Sequence, residues 1–313
     1  MEDLIQRDRL ISHNISPSSI QTILEKTATR IKQQGDKPYV TVKRQLELLE
    51  QLSQFDFGCF LLQNQGINGY WTHYMLTHPW FGRKTRKNNR GDAFFELENF
   101  LLNCAPTMLA TQQRFEIFLK ENQKCVKDDA NLACIPCGMM GELLYLNFKH
   151  INHIVLSGID YDAETLQDAM SLGDKQKLNH FIKLIQRDAW HLDIHNEFDL
   201  ISSNGLSIYE PDDKKVEKLY HNFYNALKPG GKVVTSFLTP PPILTDNCEW
   251  EMTKINQQHL LLQKILFADI IDAKFQCFRS TEQTRTQLST VGFKNIQFIY
   301  DEAKMFPTVV AYK

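Results

Sequence analysis

The pattern of the sequence changes at Asn131-Leu-Ala-Cys-Ile-Pro-Cys-Gly-Met-Met-Gly-Glu142. The first half of this stretch is a short apolar run typical of a buried strand, and the second half is a turn that contains glycine. Further short apolar runs then alternate with helical patterns. The runs cover residues 131–136, 153–159, 181–186, 198–203 and 232–237. Strand, helix and strand in this order predict parallel βαβ units, and hence a doubly wound α/β sheet.

The carboxyl-terminal part is expected to add an antiparallel hairpin to this sheet. Residues 293–300 and 305–312 read as its strands, with Asp301-Glu-Ala-Lys304 between them. Residues 238–290 form an insertion after the fifth strand, with a helix expected over 256–271. Such folds bind ligands at the carboxyl ends of their strands, so the insertion either covers a ligand or is a surface elaboration.

The first 129 residues have helical periodicity instead of this alternation. Apolar side chains at helical spacing run from Ile20 to Ile31, after Ser16-Pro-Ser-Ser19, which offers helix caps. Further helices are expected over 46–52, 94–102 and 108–119. We therefore predict an all-helical segment over 1–129 that caps the substrate, and a sheet domain over 130–313.

The composition excludes several classes of protein. The 313 residues include 35 Lys or Arg and 37 Asp or Glu, a net charge of −2 that leaves no basic face for nucleic acid. No apolar run approaches the ~20 residues of a membrane span. The polar, acidic start Met1–Arg9 is not a secretory signal. Seven cysteines, an odd number, do not indicate a disulfide framework, and we expect a cytoplasmic protein without membrane association.

Cys134-Ile-Pro-Cys137 has the spacing of a zinc half-site or of a redox pair. A zinc site needs a second half, which the other five cysteines do not form. A redox pair needs a helix start that lowers a thiol pKa, and the turn after Cys137 could provide one. We expect no metal site here.

Three elements of the sheet domain point to a nucleotide. The first turn contains Gly138 and Gly141, and glycine lets the backbone approach a ligand closely. Asp160 ends the second predicted strand, 22 residues after Gly138, where a carboxylate accepts hydrogen bonds from a ribose. The alternative for Asp160 is a helix cap, for which Asp162 is better placed. After the third strand, Asp188 and the backbone of Ala189 could match adenine, the alternative being an exposed turn aspartate.

The segment 131–313 closely resembles the class I S-adenosylmethionine-dependent methyltransferases. The resemblance rests on six motifs in register: Pro136-Cys-Gly138, Gly158-Ile-Asp160, Asp188-Ala189, Phe198-Asp-Leu200, Leu227-Lys-Pro-Gly-Gly231 and Gly292-Phe293. It implies a seven-stranded, mostly parallel sheet and S-adenosylmethionine as cofactor. It also implies that Pro136, Cys137 and Gly138 pass beneath the methionine portion. Asp160 would hold the ribose, Tyr161 would lie along the adenine, Asp188 and Ala189 would read its edge, and Asn204 would lie near the methionine end.

Two departures from the family pattern concern the loop. The family often has an acidic residue in the first strand, where this chain has Cys134. Two of its usual glycines are replaced by Pro136 and Met140, so that Met140 is expected to add bulk near the cofactor.

Candidate acceptor-site residues lie in the helical segment, after the fourth strand and in the insertion. For the aromatic residues the alternative is core packing, and for the histidines an ordinary structural role. Arg114 could pair with a carboxylate. A general base is needed only for an acceptor such as an alcohol. The weak catalytic candidates are Tyr209, His73 and His259, and the candidate substrate contacts are Tyr70, Trp71, Tyr74, Arg114 and Tyr209.

The resemblance therefore predicts a methyltransferase, and the helical cap favours a small-molecule acceptor in a pocket that excludes water. Two alternatives stay open: a nucleic-acid methyltransferase anchored by the basic run Arg83–Arg90, or a non-catalytic S-adenosylmethionine-binding protein. The acceptor and the oligomeric state are not encoded in any motif.

Overall fold

The first part of the described chain is helical. The computed structural model describes residues 18–274 and 277–313, so the start Met1–Arg9 and the cap candidates Ser16 and Pro17 lie outside the described residues. The helices before the sheet are α1 (Ile20–Gln34), α2 (Val42–Leu52), α3 (Asp56–Asn64), α4 (Gly69–Thr77), α5 (Gly82–Thr85), α6 (Glu96–Asn103) and α7 (Pro106–Gln123).

Local capping explains where several of these helices begin. The Ser19 hydroxyl accepts a hydrogen bond from the backbone N–H of Thr22 at 3.2 Å and thereby caps α1. Thr41 caps α2 in the same way through the N–H of Arg44, also at 3.2 Å. Each cap satisfies an N–H that has no partner within its own helix.

The second part alternates strands and helices as the sequence predicts. The strands are β1 (Ala130–Cys134), β2 (Ile154–Asp160), β3 (Ile182–Gln186), β4 (Phe198–Ser203), β5 (Leu227–Ser236), β6 (Lys294–Ile299) and β7 (Thr308–Tyr312). The intervening helices are α8 (Gly141–Leu144), α9 (Ala163–Lys175), α10 (Asp213–Ala226), α11 (Gln257–Lys264), which continues into a π-helix over Ile265–Ile270, and α12 (Thr281–Val291).

All seven strands form one sheet in the order β3-β2-β1-β4-β5-β7-β6. The first five strands are parallel, and β7 is antiparallel to both of its neighbours, which confirms the predicted closing hairpin. The chain runs outward from β1 to β3 and then returns to β4 beside β1. The strand order therefore reverses between β1 and β4, the place where open α/β sheets bind ligands.

Some predicted boundaries were wrong. The first strand ends at Cys134 rather than at residue 136, because the chain turns at Pro136. The last strand begins at Thr308 rather than at 305, after Pro307, which cannot donate to the ladder. Lys228-Pro-Gly-Gly231 does not merely stop α10, since β5 already begins at Leu227.

The described chain divides into two units. The first ends at Gln112, within α7, and takes in the stretch that begins at Met252. The second comprises Gln113–Glu251 and the last stretch of the chain to Lys313. In the second unit, apolar clusters cover both faces of the sheet, one around Tyr220 and Phe223 of α10 and the other around Leu143 and Leu144 of α8.

Among the described residues, no helix is both long and apolar enough to cross a membrane.

Candidate functional site

The loop after β1 is tied to the end of β2. It begins with a cis peptide bond between Ile135 and Pro136. The N–H of Cys137 donates to the carbonyl of Ile159 at 2.9 Å, and the N–H of Met140 closes a turn onto the carbonyl of Cys137 at 2.7 Å. The loop therefore crosses the carboxyl ends of β1 and β2, at the reversal of the strand order.

Asp160 lies where the resemblance places it, at the end of β2 and against this loop. Its Oδ2 accepts a hydrogen bond from the N–H of Gly138 at 3.1 Å, and its Oδ1 accepts one from the N–H of Asp162 at 3.1 Å. A carboxylate has about four lone-pair positions, so both oxygens can accept further bonds. Tyr161 follows with 43% of its surface exposed, so its ring is open to a flat ligand.

The helix cap that competed for Asp160 belongs to Asp162. One oxygen of Asp162 accepts from the N–H of Glu164 at 3.1 Å, and the other from the hydroxyl of Thr165 at 2.9 Å. Because Asp162 caps α9, Asp160 is not needed for that purpose.

Asp188 lies after β3 and has a local structural role. Its Oδ1 accepts from the N–H of Trp190 at 2.9 Å, and its Oδ2 lies 2.8 Å from Nδ1 of His191. The turn interpretation of Asp188 therefore describes its present contacts. Recognition of adenine by Asp188 and the buried Ala189 stays a prediction.

The expected bulk of Met140 near the cofactor is wrong. Met140 has a φ of +55° and is fully buried in the apolar cluster below the loop. A Cβ added to Gly158 of β2 would lie 2.5 Å from the sulfur of Met140. The side chain of Met140 therefore occupies the space that the missing side chain of Gly158 leaves.

Cys134 and Cys137 are free, buried thiols. Cys134 donates to Oε2 of Glu142 at 2.9 Å, and Cys137 donates to the carbonyl of Gly138 at 3.3 Å. Burial raises the pKa of each thiol well above its usual range, the opposite of what a redox pair requires. Among the described residues, no cluster of His, Cys, Asp or Glu is arranged to hold a metal ion.

Glu142 is the acidic residue of this region that the sequence analysis missed. It is buried at the start of α8 and, besides Cys134, accepts from the hydroxyl of Ser202 in β4 at 3.1 Å and from the side chain of Asn204. Desolvation by burial raises the pKa of Glu142. Its carboxylate therefore stands against Cys134, where the family pattern led us to expect an acid. An acid directly after a loop whose strand lacks one was the available signal.

Polar atoms without partners gather at the ends of β4 and β5. The Oδ1 of Asn204 and the hydroxyls of Ser203 and Ser236 are buried and have no hydrogen-bond partner among the described residues. The Nε and Nη1 of Arg114 in α7 share this property. A Cβ added to Gly205 would lie 3.5 Å from Nη1 of Arg114 and 3.8 Å from Oγ of Ser236, so these atoms face the same point.

Comparisons with known proteins agree with this geometry. A family model for a methyltransferase domain matches residues 135–231. A crystal structure of a possible exported protein from Bordetella parapertussis is 40% identical, with a TM-score of 0.87, and the match covers 94% of this chain and 95% of that chain. This chain and the Bordetella protein belong to one family.

The other solved structures are more distant. An S-adenosylmethionine-dependent methyltransferase from Mesorhizobium loti is 19% identical, with a TM-score of 0.45, over 65% of this chain and 98% of that chain. A Haemonchus contortus phosphoethanolamine N-methyltransferase, in complex with phosphomonomethylethanolamine and S-adenosylhomocysteine, is 15% identical, with a TM-score of 0.46, over 70% and 60%. A search among curated proteins found no match.

The domain match spans the loop after β1 through the glycines of β5, and the sheet has the predicted seven-stranded order. The chain belongs to the class I S-adenosylmethionine-dependent methyltransferases. It is an enzyme, and S-adenosylmethionine is its methyl donor.

The residues of this methyltransferase fit that donor. Asp160 presents a carboxylate beside the loop, and the exposed ring of Tyr161 lies next to it in sequence. The orphaned Oδ1 of Asn204 is a buried acceptor, which suits the ammonium group of a methionine portion. Pro136, half-buried, and Gly138 lie in the loop between these two ends.

The methyltransferase also brings two acceptor-site candidates together. Tyr209 ends a short 3₁₀ helix, Leu206–Tyr209, which follows β4. Burial raises the pKa of its hydroxyl, and the nearby positive charge of Arg114 opposes this shift. Both candidates therefore belong to the second unit and lie at the carboxyl ends of its strands.

The remaining candidates of the methyltransferase lie in the first unit. Trp71 is buried and stacks on Phe57 with ring centroids 5.3 Å apart, and the hydroxyl of Tyr74 donates to Glu98 at 3.2 Å. These contacts are those of core residues. Tyr70 is 41% exposed, and His73 and Tyr74 share its helix α4, whereas His259 of α11 packs edge-on against Phe100.

The basic run of the methyltransferase also lies in the first unit and has internal partners. Arg90 forms an ion pair with Asp56. Arg83 donates to the side chains of Asn103 at 2.8 Å and Gln112 at 3.0 Å. The two ends of the run thus hold neighbouring segments, which is a structural use of their charge.

Proposed function

We propose that this methyltransferase transfers its methyl group to a small-molecule acceptor. The donor site consists of the residues named from the resemblance: Pro136, Cys137, Gly138, Asp160, Tyr161, Asp188, Ala189 and Asn204. The tie between Gly138 and Asp160 supports this set, because it brings the loop and the ribose-binding candidate into direct contact.

The chemistry asks mainly for alignment. S-adenosylmethionine supplies a methyl group that a positively charged sulfur already activates. The residues at the ends of β4 and β5 then orient the acceptor and exclude water, and such positioning can lower a barrier by ~7–11 kcal/mol. A general base typically adds about 10²–10⁴ in rate, and only an acceptor with a high pKa requires it. Tyr209 is the candidate nearest to Arg114, and His73 and His259 stay weaker candidates.

The observation that carries the proposal is the set of buried polar atoms without partners around Gly205. Arg114, Asn204 and Ser236 are shielded from bulk solvent, so a ligand that satisfies them must itself be enclosed. A small molecule can be enclosed in this way, whereas an RNA or protein side presents its target from outside.

Two further proposals concern the rest of the chain. We propose that the helical segment 1–129 caps the substrate and that Tyr70, Trp71 or Tyr74 contributes to closing the site. We also propose a cytoplasmic location, which the free state of all seven cysteines supports.

Transfer of label from methyl-labelled S-adenosylmethionine tests the acceptor class. A cell extract from the source organism is separated into a dialysable fraction, an RNA fraction and a protein fraction. We expect Asp160-dependent label in the dialysable fraction, with D160N inactive. D174N, which changes an exposed aspartate of α9, serves as the matched control and should be fully active. Label in RNA or protein instead would overturn the small-molecule proposal.

A further inference from the structure

The second unit contains two buried arginines that differ in one respect. Arg279 is 2% exposed, and its nitrogens donate to Asp213 and to the carbonyls of Ser207 and Glu210. Arg114 is 5% exposed, yet its Nε and Nη1 find no partner among the described residues. Arg279 therefore stabilises the fold through its contacts, and the contacts of Arg114 give no such account.

The state of Arg114 is energetically unfavourable. Buried guanidinium groups are normally paired, because taking an unpaired charge out of water is strongly disfavoured. Desolvation lowers the pKa of Arg114 to about 10, so the group remains charged at neutral pH. Its guanidinium also lies over the ring of Phe306, 4.6 Å from the centroid, which holds its plane but satisfies no N–H group.

The nearby acids are already committed to other partners. Oxygens of Glu142 accept from Cys134 and Ser202, and those of Asp301 accept from backbone N–H groups of its own loop. Neither acid forms an ion pair with Arg114 among the described residues. Their charges act on Arg114 only from a distance, together with the hydroxyl of Tyr209.

The position of Arg114 separates it from the donor candidates. Asp160 and Asp188 lie at the ends of β2 and β3, on one side of the strand reversal. The Nη1 of Arg114 faces Gly205, which follows β4, and Ser236, which ends β5, on the other side. A donor bound along β1 to β3 leaves this second side to the acceptor.

We propose that Arg114 binds a carboxylate group of the acceptor, with the hydroxyl of Ser236 as a further donor. A carboxylate matches the guanidinium in shape and carries the single negative charge that the site lacks. A phosphate dianion fits less well, because Glu142 and Asp301 lie nearby. The substrate class is therefore small carboxylic acids, an inference that rests on the proposed function.

Acetate, the smallest carboxylate, is the probe for this site. The protein is labelled with ¹⁵N-arginine and saturated with S-adenosylhomocysteine, and the Nε–H signals are followed by NMR. We expect acetate to shift one signal, which R114M identifies by its loss, and acetamide to shift none. In R114M, acetate binding measured by competition should weaken at least about tenfold. An Arg114 signal that acetate leaves unmoved would overturn the proposal.

A second ligand pair distinguishes the acceptor from the donor. S-adenosylhomocysteine carries a carboxylate, and 5′-methylthioadenosine lacks the amino-acid portion. If the former alone moves the Arg114 signal and acetate then has no effect, Arg114 holds the donor, and the acceptor assignment is overturned. Absence of calorimetric heat with S-adenosylhomocysteine would instead contradict the proposed donor site, so the two failures are distinguishable.

Stability measurements separate binding from a structural role. We expect R114M to unfold at the same urea concentration as the wild type or at a higher one, because it removes a buried unpaired charge. R279M should unfold at a lower concentration, because it leaves two buried carbonyls and Asp213 without their donor. A loss for R114M equal to that for R279M would show that Arg114 is structural and overturn the proposal.

Discussion

Met140 and Gly158 form a size-matched pair below the donor loop. The methionine side chain fills the place where a residue with a Cβ would stand in β2. This arrangement explains how a loop that lacks one of the family's usual glycines keeps its bulk out of the ligand side. The pairing is invisible in the sequence, because the two residues are 18 positions apart and neither is unusual by itself.

The pair predicts a non-additive double-mutant cycle. G158A places a Cβ 2.5 Å from the sulfur of Met140 and 2.8 Å from Cδ2 of Leu184, so we expect a loss of about 1–3 kcal/mol in the free energy of unfolding. M140A removes the first clash, and the double variant should lose less than the sum of the two single variants. Urea unfolding of all four proteins measures this coupling, and strict additivity would contradict it.

Glu142 predicts a specific dependence of stability on pH. Burial raises its pKa above the ordinary value of 4.5, so its ionised form is less stable in the folded protein than in the unfolded chain. The contribution is full below the unfolded pKa and is lost as the pH rises through the folded pKa. Relative to E142Q, the wild type should therefore lose unfolding free energy as the pH rises from about 4.5. Urea unfolding from about pH 4 to 8 tests this, and a constant difference between the two proteins would contradict it.

At the scale of elements, the end of β2 divides two tasks between neighbouring aspartates. Asp162 caps α9, whereas Asp160 contacts the loop after β1. The sequence predicted this division from position alone, since a capping residue stands directly before its helix. It predicted the order and type of the sheet elements for the same reason: strand and helix periodicities are local properties.

The division predicts opposite effects for two substitutions. D162A should lower the free energy of unfolding by about 0.5–2 kcal/mol, because α9 loses its cap, and should leave S-adenosylhomocysteine affinity nearly unchanged. Urea unfolding and calorimetry on the same preparations check both statements. Weakened binding in D162A without a stability loss would show that the roles are misassigned.

At the scale of the whole molecule, the predictable part is the sheet and the unpredictable part is what packs at a distance. The seven-stranded order followed from six motifs in register. The grouping of the stretch from Met252 with the first unit did not, because its partners are more than 100 residues away. The same holds for Arg114, Asn204 and Ser236, whose lack of partners appears only in three dimensions. Arg114 was a candidate for carboxylate pairing, yet its burial gave that candidate its physical weight.

Calorimetric titration with S-adenosylhomocysteine, for the wild type and D160N, tests the central claim most directly. The account predicts one binding site per chain and at least about tenfold weaker binding in D160N, because a carboxylate that accepts ribose hydroxyls is replaced by a neutral amide. D174N should bind as the wild type does. No binding by the wild type, or equal binding by folded D160N, would contradict the account.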